Sequence, residues 1–119
     1  MPVKKGLSPV QRTLRELRNQ GCICDMCEKW VMAPSLPGHG YRKDLFDFID
    51  IIALAPNGIL AIQACGSSFA AHKRKMLENE YLPEWIKSGG RVQLWGWRKV
   101  KKVRGGKQMI WVPRVERIE

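Results

Sequence analysis

Asp44-Leu45-Phe46-Asp47-Phe48-Ile49-Asp50-Ile51-Ile52-Ala53-Leu54-Ala55, then Pro56-Asn57-Gly58, then Ile59-Leu60-Ala61-Ile62-Gln63-Ala64-Cys65, is the stretch on which the fold turns. Two apolar runs rich in Ile and Phe flank a Pro-Asn-Gly turn signal, which predicts a β-hairpin with strands over residues 45–54 and 59–64. Asp50 interrupts the first run, and a carboxylate inside Phe48-Ile49-Asp50-Ile51-Ile52 is costly to bury unless it is paired or binds a metal. The alternative is a strand-edge Asp that reaches water or an Arg. On the second strand, alternation puts Ile59, Ala61, Gln63 and Cys65 on one face, so Gln63 and Cys65 project together near Asp50. Hard cations such as Mg2+ take carboxylate and amide oxygens, and in such sites they activate water and stabilise charge on phosphate.

On the N-terminal side, Ser8-Pro9-Val10-Gln11 has a capping Ser, Pro at the first helical position and Gln three residues after the cap, which starts a helix. Val10, Leu14 and Leu17 form its apolar face, Arg12, Arg15 and Arg18 lie elsewhere on it, and Gly21 stops it. Residues 22–31 read as a strand and 33–40 as a surface loop. On the C-terminal side, Ser67 or Ser68 caps a second helix running to about Asn79, with a basic stripe through Lys73, Arg74 and Lys75. A helical turn over 83–87, a strand over 91–97, the turn Arg104-Gly105-Gly106-Lys107 and a last strand over 108–115 complete the chain. The order is α, β, β, β, α, β, β. At 119 residues, a single domain spanning 1–119 is expected.

Twenty-one Lys and Arg against eleven Asp and Glu give a net charge of +10, which points to a polyanionic partner, DNA above all. The expected contacts are Arg12 and Arg15 on the first helix, Lys73 and Arg74 on the second, and Arg98, Lys99, Lys101, Lys102 and Arg104 around the last turn. A basic but unpartnered surface is the competing reading. Trp95 and Trp97, at period two, read as core before they read as base-stacking platforms. No apolar run approaches the ~20 residues of a membrane-spanning helix. The opening lacks a signal-peptide pattern, so an intracellular protein is expected, inside a cell or a phage-infected cell. Cys22, Cys24 and Cys27 raise a zinc alternative, but a second ligand pair at metal spacing is missing, and small Cys side chains also suit a strand. No zinc and no disulfide are expected.

At this level the sequence resembles the PD-(D/E)xK nuclease superfamily, and within it the small phage and archaeal Holliday junction resolvase-like nucleases. The resemblance rests on the element order and on Asp50 followed, across the hairpin, by Gln63-Ala64-Cys65, where the family carries Asp and then Glu-x-Lys. Residues 44–51 and 90–99 also look like uncharacterised phage members, and the likeness spans roughly residues 8–115. It implies an α/β fold with an αβββαβ restriction-endonuclease-like core, a mixed central sheet flanked by helices. It further implies a Mg2+- or Mn2+-dependent endodeoxyribonuclease, acting on branched DNA and as a homodimer, with a non-catalytic binder on the same fold as the alternative. Two positions depart from the family. Gln63 stands where an acid is usual, and an amide holds a cation several kcal/mol less well than a carboxylate at ~4 Å even at an effective dielectric of about 20. Glu28 and Asp44 are the acids expected to compensate, and Gln11 lies near where resolvases carry a helical Glu. Cys65 stands where the lysine is usual; Lys75 is the expected replacement, with Lys73 or His72 facing the same cleft according to helix phase.

Overall fold

The computed structural model describes residues 6–119; residues 1–5, part of the opening on which the expectation of no signal peptide rests, lie outside the described residues. Helix α1 (Pro9–Asn19) begins as the sequence predicts. Ser8 Oγ accepts from Gln11 N–H and Gln11 Oε1 accepts from Ser8 N–H, a closed capping box with Pro9 in the first turn. Strands β1 (Ile23–Met26), β4 (Ile51–Ala55), β5 (Gly58–Cys65), β6 (Arg91–Lys101) and β7 (Met109–Arg117) form one sheet in the order β1-β4-β5-β6-β7. Only the β5–β6 pair is parallel. Its crossover is made by α2 (Phe69–Glu78) and α3 (Leu82–Lys87), as a parallel connection requires. The fold is therefore mixed α/β, with helices against a five-stranded mixed sheet. A second, two-stranded sheet pairs β2 (Lys29–Met32) with β3 (Gly40–Lys43).

Alternation along the strands sorts two cores onto the two faces of the sheet. Leu60, Ile62, Ile51, Ala53, Trp95 and Trp97 pack with Cys24 and Leu17 under α1. Ala61, Cys65, Val92 and Leu94 pack with Phe48, Ile49, Met76 and Leu82 under α2 and α3. Both Trp residues are core, as expected, and each indole N–H has an acceptor: Gln93 Oε1 for Trp95 and Thr13 Oγ1 for Trp97. Gly96 is needed where Phe69 crosses β6, since a Cβ there would stand 2.4 Å from the Phe69 ring.

Two predicted strands come out differently. Residues 22–31 are not one strand: pairing with β4 ends at Met26, Cys27 N–H donates to Asp50 O, and β2 then leaves for its own sheet. The expected loop over 33–40 is largely the tip of that second hairpin, and β3 was not foreseen. Residues 45–54 are not one strand either. Leu45 bridges Ile49 across a tight turn in which Phe46 (φ 54°) and Asp47 (φ 65°) are both left-handed, and β4 starts only at Ile51. The apolar character of this run was misleading because Phe48 and Ile49 are buried from a turn, not from a strand.

Candidate metal centre

The left-handed turn is what assembles the site. Six residues of extended chain would hold Asp44 and Asp50 about 20 Å apart. Folded back through the Leu45–Ile49 bridge, their carboxylates and that of Glu28 offer oxygens all within 4.8 Å of one another. Non-glycine residues in left-handed geometry cost roughly 1–2 kcal/mol each. The turn is held by Leu45 N–H and Ile49 N–H, each bonded to the other residue's carbonyl, by Asp47 N–H to Asp44 O, and by Asn79 Nδ2, which donates to Phe46 O. Glu28 arrives from the gap between β1 and β2, so two breaks in regular structure and one strand start meet at one point.

Asp50 is 5% exposed. Its main-chain N–H donates to Ile62 O, and its Oδ2 accepts from Ala64 N–H, which ties the carboxylate to β5. Burial pushes its pKa up to about 8, a hydrogen bond with the Asp44 carboxyl and the charges of Asp44 and Glu28 push the same way, and the Ala64 N–H opposes them. Three carboxylates crowded into a buried corner repel one another, and a shared proton or a cation relieves the repulsion. The cations nearby give little relief: Arg42 lies 3.7 Å from Glu28 Oε2 with its own side chain mostly in water, and Lys43 pairs with Asp47 instead. Among the described residues this is the group of three Asp, Glu, His or Cys close enough to share an ion.

Gln63 shares the Ala61 and Cys65 face, as the alternation predicts. Its Oε1 is buried and has no hydrogen-bond partner, an expensive state for an amide oxygen unless a ligand supplies the contact. Carboxylates with an amide oxygen form the all-oxygen donor set that suits Mg2+ or Mn2+. Ligands 2.0–2.1 Å from such an ion stand at most about 4.2 Å apart, so closing the cluster on one needs only a small contraction. Cys65 is buried, and burial first and Asp50 second push its thiol pKa up.

The remaining expected residues divide. Lys75 is exposed on the α2 flank that it shares with Asn79, four residues on. Asn79 caps the helix end and reaches the Asp44–Asp50 turn. Lys73 is on the opposite flank and is bound to Glu116 of β7, so it does not face that cleft. His72 is held by Ser68, whose carbonyl is 2.8 Å from Nδ1. Gln11 is consumed by the capping box and is not part of the site. The cysteines do not converge: Cys22 donates toward Leu54 O, Cys24 toward Leu14 O and Cys27 toward Ile49 O. Burial first, then Asp50, raises the Cys27 pKa to about 11.

No family model matches the chain, and neither a curated protein nor a solved structure matches it. The site is read on its own geometry.

That geometry extends beyond the acids. The registers place the start of β4, the end of β5 and the Gly96 region of β6 at one end of the sheet. From there β6 runs on from Trp97 to Lys101 paired with β7 alone, so a two-stranded arm projects about 17 Å past the sheet at the acid end. Arg98, Lys99, Lys101, Lys102 and Arg104 are exposed on it. Arg12 lies over the Trp111 ring at 4.1 Å, with Lys99 at 5.9 Å from the same ring, so the start of α1 joins this basic surface; Arg15 and Arg74 are exposed on their helices. Trp111, 43% exposed, was missed in the sequence, where it reads as one more apolar residue of the last strand. No helix among the described residues is long and apolar enough to cross a membrane.

Proposed function

We propose that this chain is a metal-dependent endonuclease that hydrolyses DNA phosphodiesters on a restriction-endonuclease-like PD-(D/E)xK core. The observation that carries this reading is the meeting of Glu28, Asp44 and Asp50 at the end of the sheet from which the basic arm projects, with Gln63, whose side-chain oxygen is buried and unpartnered, across the β4–β5 register from Asp50. Topology supports it. With the β2–β3 hairpin set aside as an insertion, the chain runs α-β-β-β-α-α-β-β, an α-β-β-β-α-β order with α3 added to the crossover and β7 added at the end, and with an antiparallel β4–β5 hairpin and a helical crossover to a parallel β6. The third acid supplies the charge that Gln63 lacks.

In this reading Asp50, Asp44, Glu28 and Gln63 hold one Mg2+ or Mn2+. Bound there, the cation would lower the pKa of a water so that hydroxide is available as the nucleophile, and would offset charge on the scissile phosphate. Ala64 N–H holds the Asp50 carboxylate in place. The Lys75 ammonium, approaching from α2, stabilises charge developing on the phosphate. Arg98, Lys99, Lys101, Lys102 and Arg104 bind flanking phosphates and set where the backbone crosses the acids. Branched DNA is the substrate to try first, because the family likeness is to junction resolvases, and a homodimer would present two such sites.

The test is cleavage of labelled branched, duplex and single-stranded DNA with Mg2+ or Mn2+. The expected result is metal-dependent nicking that Asp50→Asn abolishes while DNA binding stays intact or tightens slightly, since one negative charge has left a phosphate-facing cleft. One specific observation favours a second reading, a non-catalytic DNA binder. Cys65 and Gln63 are both neutral where the family carries charged groups. Absence of cleavage with either metal, together with salt-sensitive DNA binding, establishes that reading instead.

A further inference from the structure

The β2–β3 hairpin begins one residue after Glu28 and ends one residue before Asp44, so two of the three acids are its roots. Among the described residues it pairs with no other strand, and an isolated two-stranded hairpin is marginal in water. Its side chains do not turn inward to compensate. Trp30 is 58% exposed and Tyr41 55%, with Met32 and Leu36 also in solvent. Directly opposed residues share a face, so Trp30, Met32, Gly40 and Arg42 lie on one side and Lys29, Val31, Tyr41 and Lys43 on the other. Each side thus carries one large exposed aromatic ring and at least one cation.

Two details indicate what covers these faces. The Trp30 ring lies close against Gly40, where a Cβ would stand 2.6 Å from its Nε1, and that N–H is directed at Met32 Sδ. More than half of the residue stays in solvent. Lys29 and Lys43 stand directly opposite each other, an unfavourable placement of like charges that Asp47, 3.9 Å from Lys43, relieves on one side. No Asp or Glu occurs from residue 29 to 43. Exposed aromatic rings beside cations, with carboxylates only at the hairpin's base, where Glu28 meets Arg42 and Asp47 meets Lys43, match a nucleic-acid strand, whose phosphates pair with Lys and Arg and whose unpaired bases stack on rings. A second copy of this chain fits less well, since it brings the same positive charge and a net +10.

We propose that the β2–β3 hairpin is a base-stacking arm that grips unpaired nucleotides of DNA beside the acid cluster, through Trp30 on one face and Tyr41 on the other. The inference rests on the nuclease reading for its meaning: it makes the substrate DNA with a single-stranded portion, such as a fork, flap or opened junction, and not intact duplex. Lys29, Arg42 and Lys43 hold the phosphates on either side of the stacked bases. Tying the arm to Glu28 and Asp44 sets the stacked base close to the phosphate that the acids would address.

The test is fluorescence anisotropy in EDTA with a fluorescein-labelled single strand, its duplex and a splayed fork. The proteins are the full chain, Trp30→Ala, Tyr41→Ala and Trp30→Phe. Each alanine variant is expected to weaken single-strand and fork binding by about 5- to 150-fold, the range for loss of one base–aromatic stack, and duplex binding by less than about 2-fold. Trp30→Phe, which keeps a stacking face, restores most of the loss and separates stacking from damage to the hairpin. Equal loss on duplex and single strand, no loss on either, or a change from dimer to monomer in Trp30→Ala without a change in single-strand preference overturns the proposal. Binding in EDTA does not require catalysis, so the arm stands if the parent cleaves nothing but shows this pattern. The nuclease reading stands if Asp50→Asn abolishes cleavage while the arm variants bind as the parent does.

Discussion

Two charged regions share one end of the sheet and are built on opposite principles. The β6–β7 arm carries Arg98, Lys99, Lys101, Lys102 and Arg104 exposed to solvent, where like charges cost little because water and salt screen them. The acid cluster places Glu28, Asp44 and Asp50 together with Asp50 nearly excluded from water, where repulsion is several-fold stronger. Solvation alone accounts for the arm. The cluster is a net cost to the folded chain, assembled through two left-handed residues that add to it, and this concentrated cost is what the proposed metal site would explain. In the proposed function the arm would set how tightly DNA is held, and the cluster what happens to it.

The comparison is tested by changing each region separately. Glu28→Gln and Asp44→Asn are each expected to lower metal-dependent cleavage by on the order of 100-fold or more, with DNA affinity unchanged within a factor of about 2. Comparable loss of affinity would merge the two regions into one binding surface. Replacing Arg98, Lys99, Lys101 and Lys102 together with Ala is expected to weaken DNA binding regardless of sequence. It should reduce the slope of log K against log salt by about 3 to 4, with cleavage at saturating DNA much less affected. A slope that does not change would show that the arm does not meet phosphate.

Stability should follow the cluster and not the arm. Asp50 gives up its proton near pH 4 in the unfolded chain, yet holds it to about pH 8 when folded. Between those limits the folded state binds more protons, so metal-free stability falls as pH rises, by at most about 1.4 kcal/mol per pH unit. Thermal unfolding in EDTA should give a Tm that declines from pH 5 to 8, and Asp50→Asn should flatten the decline. A Tm that rises over that range in EDTA contradicts the buried-acid account. The smallest effects separate two neighbouring lysines. Lys75→Ala is expected to slow cleavage by about 10-fold or more with little change in stability. Lys73→Ala opens the pair with Glu116, a partly exposed bridge worth less than about 1 kcal/mol, and should leave the cleavage rate nearly as it was. Reversal of that order would move the catalytic cation to the other flank of α2.

Much of the sheet was legible because its signals are local. The Ser8 capping box, the Pro56-Asn57-Gly58 turn and the alternation of β5 each act within a few residues, and each appears in the structure as read. Asp50 was legible as a carboxylate among Phe and Ile. The turn that brings Asp44 beside it was not. Residues 45–49 are as apolar as a strand, and the left-handed pair at Phe46 and Asp47 carries no glycine to announce it. Glu28 and Asp44 were named as supporting acids from position along the chain, whereas their convergence depends on the break after Met26 and on that turn. The β2–β3 hairpin was read as part strand, part loop, because Pro34 and Pro37 dominate its tip while the pairing of Trp30 with Arg42 has no short-range signal.

The most direct test is calorimetric titration of the metal-free protein with Mn2+ at pH 7, in two buffers of different ionisation enthalpy. One Mn2+ per chain is expected, with release of close to one proton, because the cation displaces the proton that Asp50 holds. Asp50→Asn should lose the proton release and most of the affinity. Absence of Mn2+ binding at millimolar metal, or binding that survives both Asp50→Asn and Asp44→Asn, would contradict the claim that these acids form a metal centre.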